Sequence, residues 1–366
     1  MTEIELRTAY TRATGHDSST CDVLRLVGGA GNRIYWRVSP RGQRTLGAEA
    51  GQTDLAGSAV VMELPPEPGK SEEVSKDAAP TELPFLNVGR YLAGLGVRVP
   101  HVLLDESHGN PPLLVIEDLT DQTLELALSN PEAGGSEAVY SAAIRQLALL
   151  RARAEKATDP SCLAYTRAFD FDLYQWEFEH FIEWGLLGRG AKPSAAELTE
   201  LRRSFTTVSE QLAAAPRGFT HRDYQSRNIM VVPAGSGGEF EQVVIDFQDA
   251  LQGPRQYDLV ALLRDSYVEL ERPLVEKMLR LWLERFAAEG GPALEKGAFI
   301  GFFDLLTVQR KLKDAGRFVF IERVKKNPSY LAHIPASLRY VKAALGRRPE
   351  LAAAAEILAR HVPELA

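Results

Sequence analysis

Short apolar blocks separated by polar turns dominate the first third of the chain, and longer stretches of helical period dominate the rest. Cys21 to Leu26, Arg33 to Val38 and Ser58 to Leu64 each predict a strand, being short, largely apolar and bounded by turn residues or charge. Glu5 to Thr14 predicts a leading helix, Pro84 to Gly94 a second that stops at glycines, and Val99 to Leu103 the entry into a further strand. The run Leu113 to Leu119 predicts another strand. From Thr123 onward the period turns helical: Ala138 to Ala157 carries Ile144, Leu147 and Leu150 on one face. Asp172 to Leu187 sets Tyr174, Glu177, Phe181 and Trp184 at i, i+3, i+7 and i+10. That face suits a sugar platform, or plain packing with Glu177 at its rim. Ile229 to Val232 and Val243 to Ile245 flank the turn-forming residues 233–238 and predict a hairpin. Gly253 to Val260 predicts a turn and then a helix through Arg264. Phe303 to Lys313 predicts a basic amphipathic helix with a solvated face, followed by a loop at Gly316. The whole pattern is α+β, with a small β-rich N-terminal part and a larger, mostly helical C-terminal part.

Composition narrows the class. The chain has 366 residues, 45% hydrophobic and 25% charged, ordinary values for a globular protein large enough for two cores. A net charge of -7, from 42 basic and 49 acidic residues, gives no general attraction to nucleic acid or anionic membranes. Cys21 and Cys162 are too few for a disulfide scaffold, and Met1 to Tyr10 is charged where a signal sequence would be apolar. No apolar run reaches membrane-spanning length, no repeat is visible, and no His/Cys cluster has zinc spacing. The expectation is a cytoplasmic protein whose partners are small molecules; no protein partner is inferable.

The chemistry concentrates between Phe219 and Asp258. His221-Arg222-Asp223 is followed by Asn228, and the strand Val243 to Ile245 delivers Asp246. The intervening hairpin would bring Asn228 and Asp246 side by side. An amide oxygen and a carboxylate suit Mg²⁺, which is usually held by one or two protein oxygens together with substrate phosphates. Asp223 can accept a hydroxyl proton while charge on the phosphates is neutralised. Each residue alone has a plainer reading, since an Asp after a strand is commonly a cap or turn residue. Their joint order, with the hairpin between them, points to ATP- and Mg²⁺-dependent phosphoryl transfer. His221 reads as an orienting core group. Gly28 to Asn32, centred on Gly29 and Gly31, lies between two predicted strands, where backbone N–H groups can approach phosphate or simply turn the chain. Arg33 and Arg37 share a face of the next strand, either on solvated sheet or toward phosphate.

The wording His221-Arg222-Asp223-Tyr224, Arg227-Asn228 and Asp246-Phe247-Gln248-Asp249-Ala250 resembles the aminoglycoside phosphotransferase and choline kinase branch of the protein-kinase-like fold. With VVMELPPEP, IDFQDALQGPRQYDL and the stretch Phe303 to Pro335, it resembles the anomeric kinases of N-acetylmuramate and N-acetylglucosamine. The resemblance implies a bilobal fold, with an N-lobe over 1–118 and a C-lobe over 119–366. It implies adenine contacts along Glu117 to Leu119, a buttressing role for Asp258, and metal or acceptor binding by Asp249. It places the acceptor, an amino sugar, near Glu177, Arg227, Gln309 and Arg310. The third strand has no lysine where such folds keep their phosphate-contacting one, and Phe85 and Asn87 stand near its partner's place. Arg33, Arg37, Lys70 or Lys76 are the cations that could replace it. Other acceptors within the fold are choline, aminoglycosides and the glucosamine 6-hydroxyl. A nucleotide-binding pseudokinase is the reading from another class.

Overall fold

The computed structural model describes residues 1–26, 33–41, 57–65, 82–129, 135–234 and 239–366. The turn holding Gly29 and Gly31, the loop holding Lys70 and Lys76, and residues 235–238 of the hairpin turn lie outside the described residues. The chain forms two compact units, Met1–Ala133 with Ile229–Ile245, and Gly134–Asn228 with Asp246–Ala366.

In the first unit, helix α1 (Glu3–Thr14) starts at a capping box, where Thr2 and Glu5 satisfy each other's backbone N–H groups. It ends on Gly15, whose φ of 75° suits glycine. Strands β1 (Cys21–Arg25), β2 (Ile34–Pro40) and β3 (Ala59–Glu63) follow, then α2 (Pro84–Gly94), β4 (Val102–Glu106) and β5 (Leu113–Glu117). The five strands pair antiparallel in the order β1-β2-β3-β5-β4. Leu6, Ala9 and Tyr10 of α1 pack on Cys21, Val38, Ala59, Val61, Leu113 and Val115. The stretch Val99 to Leu103 does lead into a strand, which starts at Val102, past Pro100, which has no N–H to give a ladder. A short helix α3 (Leu124–Ala127) closes this stretch.

The second unit is mostly helical. It contains α4 (Gly135–Lys156), α5 (Phe171–His180), α6 (Ala195–Ala213) and β6 (Arg217–Thr220). The chain then supplies the first unit with a hairpin, β7 (Ile229–Pro233) and β8 (Phe240–Val244), whose Met230 and Val243 pack with Leu119. It returns through β9 (Leu251–Pro254), α7 (Tyr257–Leu263), α8 (Arg272–Ala288), α9 (Lys296–Lys325), α10 (Ile334–Leu345) and α11 (Ala352–His361). Strand β9 pairs with β6. Among the described residues no helix is long and apolar enough to cross a membrane.

Helix α9 is the spine of this unit, packing against α5, α7 and α10. The sequence expectation of a solvated basic face and a loop at Gly316 is corrected here. The helix runs unbroken for 30 residues, and Phe303 to Lys313 is buried on every side. Burial is possible because each cation finds a partner. Gly316 is a packing residue, since a Cβ there would lie 2.9 Å from Cα of Phe181. At that close approach the helix begun by α5 changes to a π-helical turn, Phe181–Leu186. Glu177 is likewise not at a rim: it is fully buried.

Candidate active site

The loop after β6 is held through its backbone. Asp258, at the start of α7, accepts from the N–H groups of His221 (2.8 Å) and Arg222 (2.9 Å), fixing a turn in which Arg222 has a φ of 80°. Burial pushes the Asp258 carboxyl up from its ordinary value, against His221 and those two hydrogen bonds. His221 is buried, and its Nδ1 accepts from the Asp223 N–H at 3.3 Å. Tyr224 donates to the Ala143 carbonyl and to Gln146 Oε1, both at 3.0 Å. Asp265 accepts from the N–H groups of Ser226 (2.8 Å) and Tyr267 (3.1 Å). Nothing in the sequence singled out Asp265. It lies just past the C-cap of α7, Arg264.

Asp223 leaves this braced loop with 35% of its side chain exposed. Arg310 of α9 donates to the Arg222 carbonyl at 2.8 Å and to Asp223 Oδ1 at 3.2 Å. Burial alone would raise the Asp223 carboxyl; the positive field of Arg310, then of Arg222, Lys313 and His221, outweighs it and the net shift is downward. The carboxylate is therefore kept ionised and aimed, as a proton acceptor requires.

Asn228 ends a single turn of 3-10 helix, Ser226–Asn228. Its Nδ2 donates to the Asp223 carbonyl at 2.9 Å and reaches Asp246 Oδ2 at 3.4 Å. The hairpin register, with Ile229 opposite Val244, is what puts the two flanking positions side by side. Asp246 is exposed, has a φ of 63°, and accepts from Gln248 Nε2 at 2.8 Å. Among the described residues no group of three or more His, Cys, Asp or Glu could hold a metal. An amide oxygen beside one carboxylate fits instead an ion that takes its other oxygens from phosphate and water.

The remaining expected acceptor residues divide. Arg227 stacks over the Tyr267 ring at 3.7 Å, and Asp249 stands 3.3 Å from Gln248 Nε2, close to Asp246. Gln309 is buried and donates to Glu177, so these two meet each other between α5 and α9. Tyr174 and Phe181 are sealed in the core and form no open platform. Two cations read from the sequence as part of a solvated face are instead paired with their neighbour Asp314: Lys311 donates to Asp314 (2.6 Å) and Ser266 (2.6 Å), and Lys313 lies 3.2 Å from Asp314.

Within the first unit the phosphate reading of Arg37 is corrected. Its guanidinium closes on Asp118 (2.7 and 3.0 Å) and Asp121 (2.9 and 3.0 Å) and is buried, so its fork is occupied. Arg33 is half-buried just ahead of β2. The Glu117 side chain accepts from Arg98 and from the His101 N–H at 3.0 Å, and Leu119 packs on the hairpin. Glu117 and Leu119 thus bring only backbone groups to any adenine contact.

A family model described as the phosphotransferase enzyme family matches residues 22–299. Over 298 residues the chain is 32% identical to an N-acetylmuramate/N-acetylglucosamine kinase of Pseudomonas aeruginosa, covering 80% of this chain and 82% of that protein. A protein of the same name from Neisseria meningitidis is 32% identical over 295 residues, 77% of this chain and 81% of that one. Among solved structures, the GDP complex of aminoglycoside 2'-phosphotransferase-IIIa superposes with a TM-score of 0.55 at 14% identity, over 95% of this chain and 99% of that one.

Proposed function

The chain belongs to the phosphotransferase enzyme family, and from that premise we propose that it moves the γ-phosphoryl group of ATP to the anomeric hydroxyl of an N-acetylated amino sugar, N-acetylmuramate or N-acetylglucosamine. The observation that carries the chemistry is the Asp223 carboxyl, pinned by Arg310, beside the Asn228 and Asp246 pair. The acceptor rests on the name shared by relatives 32% identical over most of their length. The GDP in the solved neighbour supports a nucleotide donor.

Asp223 takes the proton of the acceptor hydroxyl as that oxygen bonds to phosphorus and the bond to the leaving nucleoside diphosphate breaks. Arg310 aims the carboxylate and keeps it ionised; Asp258 and His221 hold the loop that presents it. Asn228 and Asp246 would hold Mg²⁺, which when bound neutralises charge on the phosphates. Positioning and electrostatics are most of what such a transfer asks of a protein. Asp249 and Arg227 are the acceptor-side candidates nearest the metal pair, and Arg33 is the first-unit candidate for phosphate.

The absence of lysine from β3 favours one other reading, a nucleotide-binding module without turnover. Incubation with ATP, Mg²⁺ and a panel of amino sugars, aminoglycosides and amino alcohols separates the two, with product position read from phosphorus couplings in NMR spectra. A sugar 1-phosphate is expected. A 6-phosphate or exclusive turnover of an aminoglycoside or choline would refute the acceptor, and nucleotide binding without any product would refute the enzyme.

A further inference from the structure

Helix α9 carries three cations in four residues, Arg310, Lys311 and Lys313. Arg310 is spoken for by Asp223 and the Arg222 carbonyl. Lys311 is held at 2.6 Å by both Asp314 and Ser266. Lys313 has one charged contact among the described residues, Asp314 Oδ1 at 3.2 Å, on the carboxylate that Lys311 already grips more closely. Two ammonium groups therefore share one counter-charge. Beyond Asp314, the carboxyls within electrostatic reach of Lys313 are Asp223 and Glu177, and burial pushes Glu177 up toward its neutral form against the pull of Lys313 and the Gln309 hydrogen bond. Lys313 thus shares its one close carboxylate with Lys311, and a second anion beside a nearly buried ammonium is favourable.

Accessibility singles out the same residue. Arg310 and Lys311 keep 3% and 2% of their side chains exposed, whereas Lys313 keeps 10%, one turn along the helix from the arginine that aims Asp223. Its field also reaches Asp223. The cation that shares its carboxylate is thus also the most exposed of the three, and its field reaches the candidate base.

We propose that Lys313 is a specificity-determining residue that binds a carboxylate carried by the acceptor sugar. The inference rests on the amino-sugar reading above. N-acetylmuramate and N-acetylglucosamine differ in that the first bears a lactyl carboxylate and the second is neutral, so Lys313 favours the first through charge. Lysine suits such a ligand, because a compact ammonium on a flexible stem meets a carboxylate without imposing a planar fork.

The test compares kcat/KM for both sugars, and KM for ATP, in the wild type, Lys313→Met and Lys313→Arg. For Lys313→Met the preference for N-acetylmuramate over N-acetylglucosamine should fall roughly 10- to 100-fold, the scale of a charge-assisted hydrogen bond. Lys313→Arg should recover part of it. An equal loss on both sugars would make Lys313 a support for Asp223 or for α9 and overturn the inference alone. A rise in KM for ATP with the sugar ratio unchanged would put the ammonium on nucleotide phosphates and overturn it too. If the wild type turned over neither sugar, the amino-sugar reading and this inference would both fall.

Discussion

At the scale of single residues, the site is a set of charges whose ionisation is fixed by neighbours rather than by exposure. Asp223→Asn keeps shape and hydrogen bonds but loses the basic oxygen, so kcat should fall by about 10²–10⁴ while nucleotide affinity stays near that of the wild type. Near-normal turnover in that variant would take Asp223 out of the mechanism. The field of Arg310 makes a separate prediction in pH. The base works when ionised, and a lowered folded-state value keeps it ionised into more acid solution. Replacing Arg310 by Met removes the positive charge that most strongly opposes the effect of burial, so the acid limb of the kcat/KM profile should move to higher pH, with activity lost earlier as pH falls. An unmoved limb would show that Arg310 only shapes the loop. These roles differ in how far the sequence shows them. The juxtaposition of Asp223, Asn228 and Asp246 is legible because their spacing is local and the hairpin between them is simple. Arg37 misleads because its partners Asp118 and Asp121 lie 81 and 84 residues away, a distance over which no periodicity carries information.

At the scale of elements, α9 and the helix that packs on it hold the site in place. The strands and most helices follow from apolar period, and the predicted bounds of α2 match the observed ones. Burial of α9 does not follow, because a sequence rule reads Gln-Arg-Lys-Leu-Lys as surface until the partners Asp223, Asp314, Glu177 and Ser266 are known. The π turn at Phe181–Leu186 is equally hidden, since it coincides with the approach of Gly316 from a distant part of the chain. Gly316→Ala sets two effects against each other. Helix propensity favours alanine by about 1 kcal/mol in a helix interior. Overpacking opposes it: the new Cβ would meet Cα of Phe181 at 2.9 Å and the His180 carbonyl at 3.1 Å, and both are backbone atoms. Such clashes cost typically about 1–3 kcal/mol, so the variant should be less stable in urea by up to about 2 kcal/mol. Gly94→Ala is the internal comparison, since its Cβ would meet nothing within 4 Å, and it should be neutral or gain up to about 1 kcal/mol. Equal stability of the two variants would mean that α9 and the π turn can separate without cost.

At the scale of the whole molecule, the chain leaves its helical unit after Asn228, contributes a hairpin to the β-rich unit, and returns at Asp246. The candidate metal residues thus stand at the two ends of one excursion, and the hairpin register that serves the first unit's core also sets their spacing. Ligand binding to this pair should then be visible in the stability of the protein as a whole. A ligand that binds only the folded state stabilises it by about 2.7 kcal/mol at 100 times its Kd. Mg²⁺ with ATP should therefore raise the Tm of the wild type by several degrees, and part of that rise should vanish when EDTA replaces the metal. Asp246→Asn is the informative variant. Alanine would confound the result, because position 246 has a φ of 63° and Asn tolerates that region as Asp does. Asn also keeps an oxygen for Gln248 while removing the charge that attracts the ion. The side chain is exposed, so the unliganded Tm should change little. What should shrink is the difference between the Mg²⁺ and EDTA conditions, with the increment from ATP alone retained. An Asp246→Asn protein that kept the full Mg²⁺-dependent increment would place the ion elsewhere, and Asp249, 3.3 Å from Gln248 Nε2, would be the next carboxylate to test.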